Sequence, residues 1–213
     1  SKGAAAAALV VLVLALGGGL IWYLRVPHTP QAQLAYAEQL DKQARAEALT
    51  QSVAAIAPKV ARAAAAYRRM GERFGKTPQT AEALKRMADL EENVAKDDTQ
   101  AAAALGQLEK DYPDEADAGF AMREEARLLR KQADALKTGK PEEAVKDYHA
   151  ALDKLEAYRK TFASQKGANP DHASAALMEE GRIWMDGLGD PLIRPIEIFQ
   201  QVLKDYPQCE DEP

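Results

Sequence analysis

Two hydrophobic patterns divide the chain. Gly3 to Leu24 runs for 22 residues without a charge, whereas beyond Arg25 apolar and polar positions recur at helical spacing between punctuating prolines. At about 1.5 Å per residue, a helix of that apolar length reaches roughly 33 Å, enough to cross the hydrocarbon layer of a bilayer. Trp22 and Tyr23 stand at its end beside Arg25, with Lys2 at the other end, where amphipathic aromatics and cations sit at a membrane interface. The pattern predicts a transmembrane anchor over residues 1–25. A cleaved signal peptide is the alternative, but its apolar region spans about 7 to 15 residues before a small-x-small site, and no convincing site follows Leu24. Lys2 against Arg25 gives a weak charge bias. A short cytoplasmic amino end would export everything after Arg25, in a bacterium from the inner membrane into the periplasm.

The remainder reads as helices. Thr29-Pro30 is a cap followed by proline at the first helical position, and the alanine-rich run to Ala57 predicts one long helix interrupted by Pro58. A second helix from Lys59 to Phe74 is expected to end at Gly75, which takes a left-handed cap at no steric cost. Thr77-Pro78 opens the next, running to about Ala95, and Asp97-Asp98-Thr99 caps its partner, which closes at Tyr112-Pro113. Further helices are expected over 114–136 and 142–162, then a last pair of which the second starts at Pro191.

Leu108-Glu109-Lys110-Asp111-Tyr112-Pro113 returns near the carboxyl end as Val202-Leu203-Lys204-Asp205-Tyr206-Pro207, each time closing an apolar helical run. Pro78, Pro113, Pro170 and Pro207 follow at intervals of 35, 57 and 37 residues, and helix-pair arrays repeat at about 34 to 47. The run Gly139-Lys140-Pro141-Glu142-Glu143-Ala144, with Tyr148, Ala151 and Leu152, resembles the tetratricopeptide (TPR) signature across its inter-helix turn and second helix. In the last unit Gly181 and Trp184 match that family's small residue and aromatic, and Phe199 and Pro207 its later aromatic and closing proline. Asp186-Gly187-Leu188-Gly189-Asp190 carries about two residues more than the family's turn. The resemblance implies an all-α fold in which a TPR-like α-solenoid occupies 76–207, after a long helix and first pair over 26–75 and before a flexible acidic tail at 208–213. One anchor with a short exported array is similar to bacterial envelope TPR proteins such as the ancillary translocon subunit.

Composition agrees with close-packed helices: 46% of residues are hydrophobic but only 6% aromatic, and alanine is abundant. A net charge of -5 offers no basic footprint for phosphates, so nucleic acid is not an expected partner. Cys209 stands alone and decides no redox compartment.

Residues that could carry chemistry do not converge. Gly75-Lys76-Thr77 lacks the earlier glycine of a phosphate loop, Met70 standing in its place, and follows a helix instead of a strand, so it reads as a C-cap and N-cap in succession. His28, His149 and His172 are scattered. Glu91-Glu92, Glu142-Glu143 and Glu179-Glu180 are adjacent acids that point about 100° apart on a helix and cannot share a proton; they are expected to be solvated faces or first-turn charges. No catalysis, cofactor, metal or small-molecule substrate is therefore expected.

The resemblance places Met178, Arg182, Met185 and Asp186 on the concave face of the last unit, where such arrays bind extended peptides; alternatively, both methionines pack against neighbouring helices. On the last helix Leu192, Ile193, Ile196, Ile198, Phe199, Val202 and Leu203 form an apolar surface wider than one neighbour covers. Ile196 and Phe199 are the expected contacts with a partner, truncation and homodimerisation being the alternatives. The expected function is a single-pass scaffold that binds other proteins at the membrane, held in lipid by residues 3–24. The alternative is an accessory subunit built into a translocon, an envelope-assembly complex, or an energy-transducing or photosynthetic complex.

Overall fold

The computed structural model describes residues 29–163, 169–190 and 193–207; the expected anchor with Lys2, Trp22, Tyr23 and Arg25, and the tail, lie outside these. The described chain is all-helical, with no strand among the described residues and no helix there long and apolar enough to cross a membrane. Its helices are α1 (Pro30–Ala48), α2 (Val53–Phe74), α3 (Pro78–Leu90), α4 (Asp98–Asp111), α5 (Phe120–Leu136), α6 (Pro141–Tyr158), α7 (Pro170–Arg182) and α8 (Ile193–Asp205). Five-residue π-helical turns extend α3, α6 and α7 at their ends, and another, Glu115–Gly119, leads into α5.

Local chemistry sets most boundaries. The side chains of Thr29, Thr77 and Asp97 accept the backbone N–H of Ala32, Thr80 and Gln100, each satisfying a donor left free at a helix start. Gly75 closes α2 at φ 64°, so Gly75-Lys76-Thr77 is the expected cap-to-cap junction. Lys96 takes φ 60° after the π turn of α3, a left-handed position held by a residue with a side chain.

One expected boundary is wrong. The chain breaks at Thr50–Gln51 instead of at Pro58, and Ser52 caps a helix that contains Pro58. Pro58 sits in the second turn, where its missing N–H removes a single bond to the carbonyl four residues back. Ile56 and Val60, at 1% and 4% exposure, hold the flanking turns in the core, so burial on both sides outweighs the local defect.

Successive helices run antiparallel. From α5 to α6 the contacts Asp134–Tyr148, Glu125–Lys154 and Arg123–Tyr158 step in opposite directions along the two elements. Two cores result. Leu34, Tyr67, Met70, Leu90 and Leu108, with alanines such as Ala37, Ala63 and Ala104, fill the one between α1 and α5. Tyr148, Leu155, Tyr158, Phe162 and Ile183 fill the second, between α5 and α7. Helix α5 serves both, giving Ala121 and Leu128 to the first and Ala126 and Ala133 to the second, where Ala118 of the preceding π turn joins them. Small residues at these crossings let helix axes approach closely, which is the use to which the alanine-rich composition is put.

The recurring exit has a structural counterpart. Helices α3 and α7 each run for 13 residues from their proline before a five-residue π turn. Their partners α4 and α8 end alike, Tyr112 N–H donating to the Leu108 carbonyl at 3.0 Å and Tyr206 N–H to the Val202 carbonyl at 2.8 Å.

Candidate interaction surface

The pair α7–α8 carries most of the residues singled out in the sequence. Asn169 caps α7, its side chain accepting the N–H of Asp171, and Pro170 occupies the first turn. Gly181 lies directly beneath the ring of Phe199: a Cβ there would stand 2.7 Å from the ring Cζ. Phe199 is thus half-buried as the clasp between the two helices, with Val202 and Pro195 buried beside it. Gly187, in the π turn, faces Tyr148 in the same manner, with ring carbons at 2.7 to 2.9 Å from a built Cβ. Tyr148, at 1% exposure, donates its hydroxyl proton to Asp134 at 2.5 Å; burial first, then this carboxylate, pushes its pKa up to about 12. Gly181 and Phe199, two of the residues that carried the family resemblance, thus meet across a helix crossing, while Gly187 belongs to the turn that departs from the family pattern.

Trp184 is held by two rings of contact. The Arg194 guanidinium lies 4.3 Å over its face, and His149 meets it edge-on with centroids 6.0 Å apart. Trp184 also lines a cavity of about 630 Å³ between α6, α7 and α8, together with Leu177, Asp153, Glu156 and Gln201.

The adjacent acids depart from expectation. Glu91 and Glu92 are 8% and 7% exposed, not solvated. Glu92 accepts a two-pronged bond from Arg127 of α5, with Lys131 at 3.3 Å, and these bonds hold its carboxyl below the usual carboxylate range. Glu91 faces an apolar crevice lined by Val53, Ala57 and Val60, where burial, and secondarily Asp97, raises its pKa. Glu179 and Glu180 are half-buried and engage different elements, Arg130 of α5 at 2.7 Å and Arg159 of the π turn that extends α6. The 100° between neighbours lets one acid serve each of two packed helices, which a sequence reading that counts only one neighbour misses. Glu142 and Glu143 are exposed as expected, Glu143 pairing with Lys140.

The expected partner-binding residues fall into two groups. Met178 is half-buried on α7, while Arg182, Met185 and Asp186 are exposed, Asp186 accepting a bond from Lys137 through its carbonyl. On α8, Ile196 is 49% exposed and flanked along one side by Ile193 and Leu203 at 65% and 75%. Phe199 is turned inward onto Gly181 and is half-buried, whereas Leu203, which was not among the expected contacts, is exposed. Periodicity does not separate the two, because Phe199 and Leu203 are four residues apart and look equally apolar. Such a surface offers dispersion contact and desolvation to another polypeptide.

No protein-family model, no curated protein and no solved structure matches this chain.

Proposed function

We propose that this chain is a single-pass, membrane-anchored scaffold whose TPR-like helical array holds another protein at the membrane surface by binding, without catalysis. The observation that carries the reading is the aliphatic stripe Ile193–Ile196–Leu203, left open on a helix pair that otherwise repeats an internal one. A row of exposed aliphatic residues beside a well-packed core marks an interaction site more often than a solvent face. The uncharged run 3–24 supports the anchor, and the reading puts the array on the periplasmic side of an inner membrane.

The aliphatic character of the stripe also favours a second reading, a permanent accessory subunit, because obligate interfaces are more apolar than transient ones. Crosslinking of the full chain in native membranes, followed by mass spectrometry, separates the two. One stoichiometric complex assigns the built-in subunit, and several substoichiometric clients assign the scaffold. A chain that crosslinks to no protein overturns both.

A further inference from the structure

The register of α4 and α8 says what kind of partner the open stripe takes. Aligning the exits Leu108–Tyr112–Pro113 and Val202–Tyr206–Pro207 sets Ala101 on Pro195, Ala102 on Ile196, Leu105 on Phe199, Gly106 on Gln200 and Glu109 on Leu203. The inward positions agree, since Ala101 and Pro195, and Leu108 and Val202, are all buried. The lateral ones differ in one direction: Leu105 is buried and Phe199 half-buried, while Ala102, Gly106 and Glu109 are half-buried and Ile196, Gln200 and Leu203 exposed.

The cause is α5. Its Leu128 shares a cleft with Ala101 and Leu105, and Leu128, Leu129 and Glu125 border Ala102. A Cβ on Gly106 would meet the Glu125 carboxylate at 3.4 Å. The ends of the α4 face are charged, Asp98 pairing with Lys131 of α5 at 2.7 Å and Glu109 with Lys154 of α6 at 2.8 Å. On α8 the position of Glu109 is taken by Leu203. The face α5 covers on α4 is thus repeated on α8 with the carboxylate of Glu109 replaced by leucine.

We infer that α8 is the acceptor for an amphipathic helix of a partner polypeptide, seated as α5 sits on α4 and presenting an aliphatic stripe of about three turns. This deepens the scaffold reading and rests on it, naming the chemistry of what that scaffold holds.

The test uses the full chain in lipid nanodiscs, empty discs as the blank, and a dye-labelled peptide of residues 114–136 of this chain. Fluorescence anisotropy is expected to show saturable uptake, weakened about tenfold or more by Leu203→Glu and by Ile196→Glu. Leu49→Glu, at an 86% exposed site on the far side of the molecule's sequence, is expected to leave it unchanged. Leu203 is exposed, so the variant's thermal melt should match the parent and keep the comparison one of binding. Uptake indifferent to Leu203→Glu, or no saturable uptake, overturns the inference. Sedimentation showing a dimer that Leu203→Glu converts to monomer, without peptide uptake, overturns it in favour of a second copy. Membrane crosslinks confined to α7 with no uptake on α8 would sink this inference and leave the scaffold standing; uptake without any membrane partner would do the reverse.

Discussion

The pairs α3–α4 and α7–α8 open on Thr77-Pro78 and Asn169-Pro170 and close on the same Lys-Asp-Tyr-Pro tract, yet α4 has α5 across its side and α8 has an open aliphatic stripe in the equivalent place. The shared ends are local physics: a side-chain oxygen for a free N–H, a proline that pre-sets φ, a tyrosine N–H that returns to the last turn. The contrast is one of neighbours. Residues of similar hydrophobicity end half-buried or bare according to what packs beside them.

The largest way to break the comparison is to empty the two equivalent positions. Leu105→Ala, at 2% exposure, is expected to cost about 3 kcal/mol, and Phe199→Ala, half-buried, about half of that. Urea denaturation in a Trp22→Phe background makes Trp184 the reporter of the last pair, with far-UV circular dichroism following the whole. Equal costs would mean that α8 is as enclosed as α4.

Two glycines should respond with opposite sign. Gly181→Ala drives a Cβ into Phe199 and is expected to destabilise by about 1–3 kcal/mol. Gly71→Ala, in a helix with its nearest neighbour at 3.8 Å, should stabilise by about 0.5–1 kcal/mol through helix propensity. Thermal melts of the two variants measured side by side check this, and a destabilised Gly71→Ala would refute the packing account.

Adjacent acids sharpen the role of α5. Glu92→Gln weakens the grip on Arg127, and because Arg127 is 40% exposed the expected cost is about 1–2 kcal/mol at neutral pH. The folded state lowers the Glu92 pKa from 4.5, so its contribution is present above that value and fades as pH falls through the depressed one. Glu91 has the reverse sign: its raised pKa means that its protonated form suits the fold, and stability is lost as pH rises through that pKa. Glu91→Gln should therefore stabilise at pH 7 by up to about 1 kcal/mol and lose the advantage below pH 4.5. Denaturation across that range decides; parallel pH profiles for the two variants would contradict the assigned surroundings.

The smallest effect concerns Lys96, whose φ of 60° suits glycine better. Lys96→Gly should raise stability by about 0.5–1 kcal/mol in chemical denaturation, and a loss would show that its side chain matters more than its backbone.

Much of this was legible in residues alone. Thr29, Thr77 and Asp97 announced their caps, and the matched tracts at Pro113 and Pro207 announced equivalent exits. Pro58 misled because a proline's cost is local while Ile56 and Val60 are held by distant contacts. Glu91-Glu92 misled for a related reason: exposure was inferred from charge, but Arg127 and Lys131 lie about 35 residues along the chain and reach Glu92 only through folding. At the candidate surface, periodicity marked the apolar width of α8 without saying which residue turns inward. That choice belongs to Gly181, whose missing side chain makes room for the Phe199 ring and so leaves Ile196 and Leu203 outside.

By itself the sequence determined an uncharged leading run, helices with their caps, and a pair that recurs, because spacing, capping and φ preferences act between residues a few positions apart. Tertiary structure alone decided that α5 serves two cores, that the acids at 91–92 are interior, and that one flank of α8 stays open. Burial depends on which surfaces close on each other, and that is a property of the assembled helices before it is a property of any one of them.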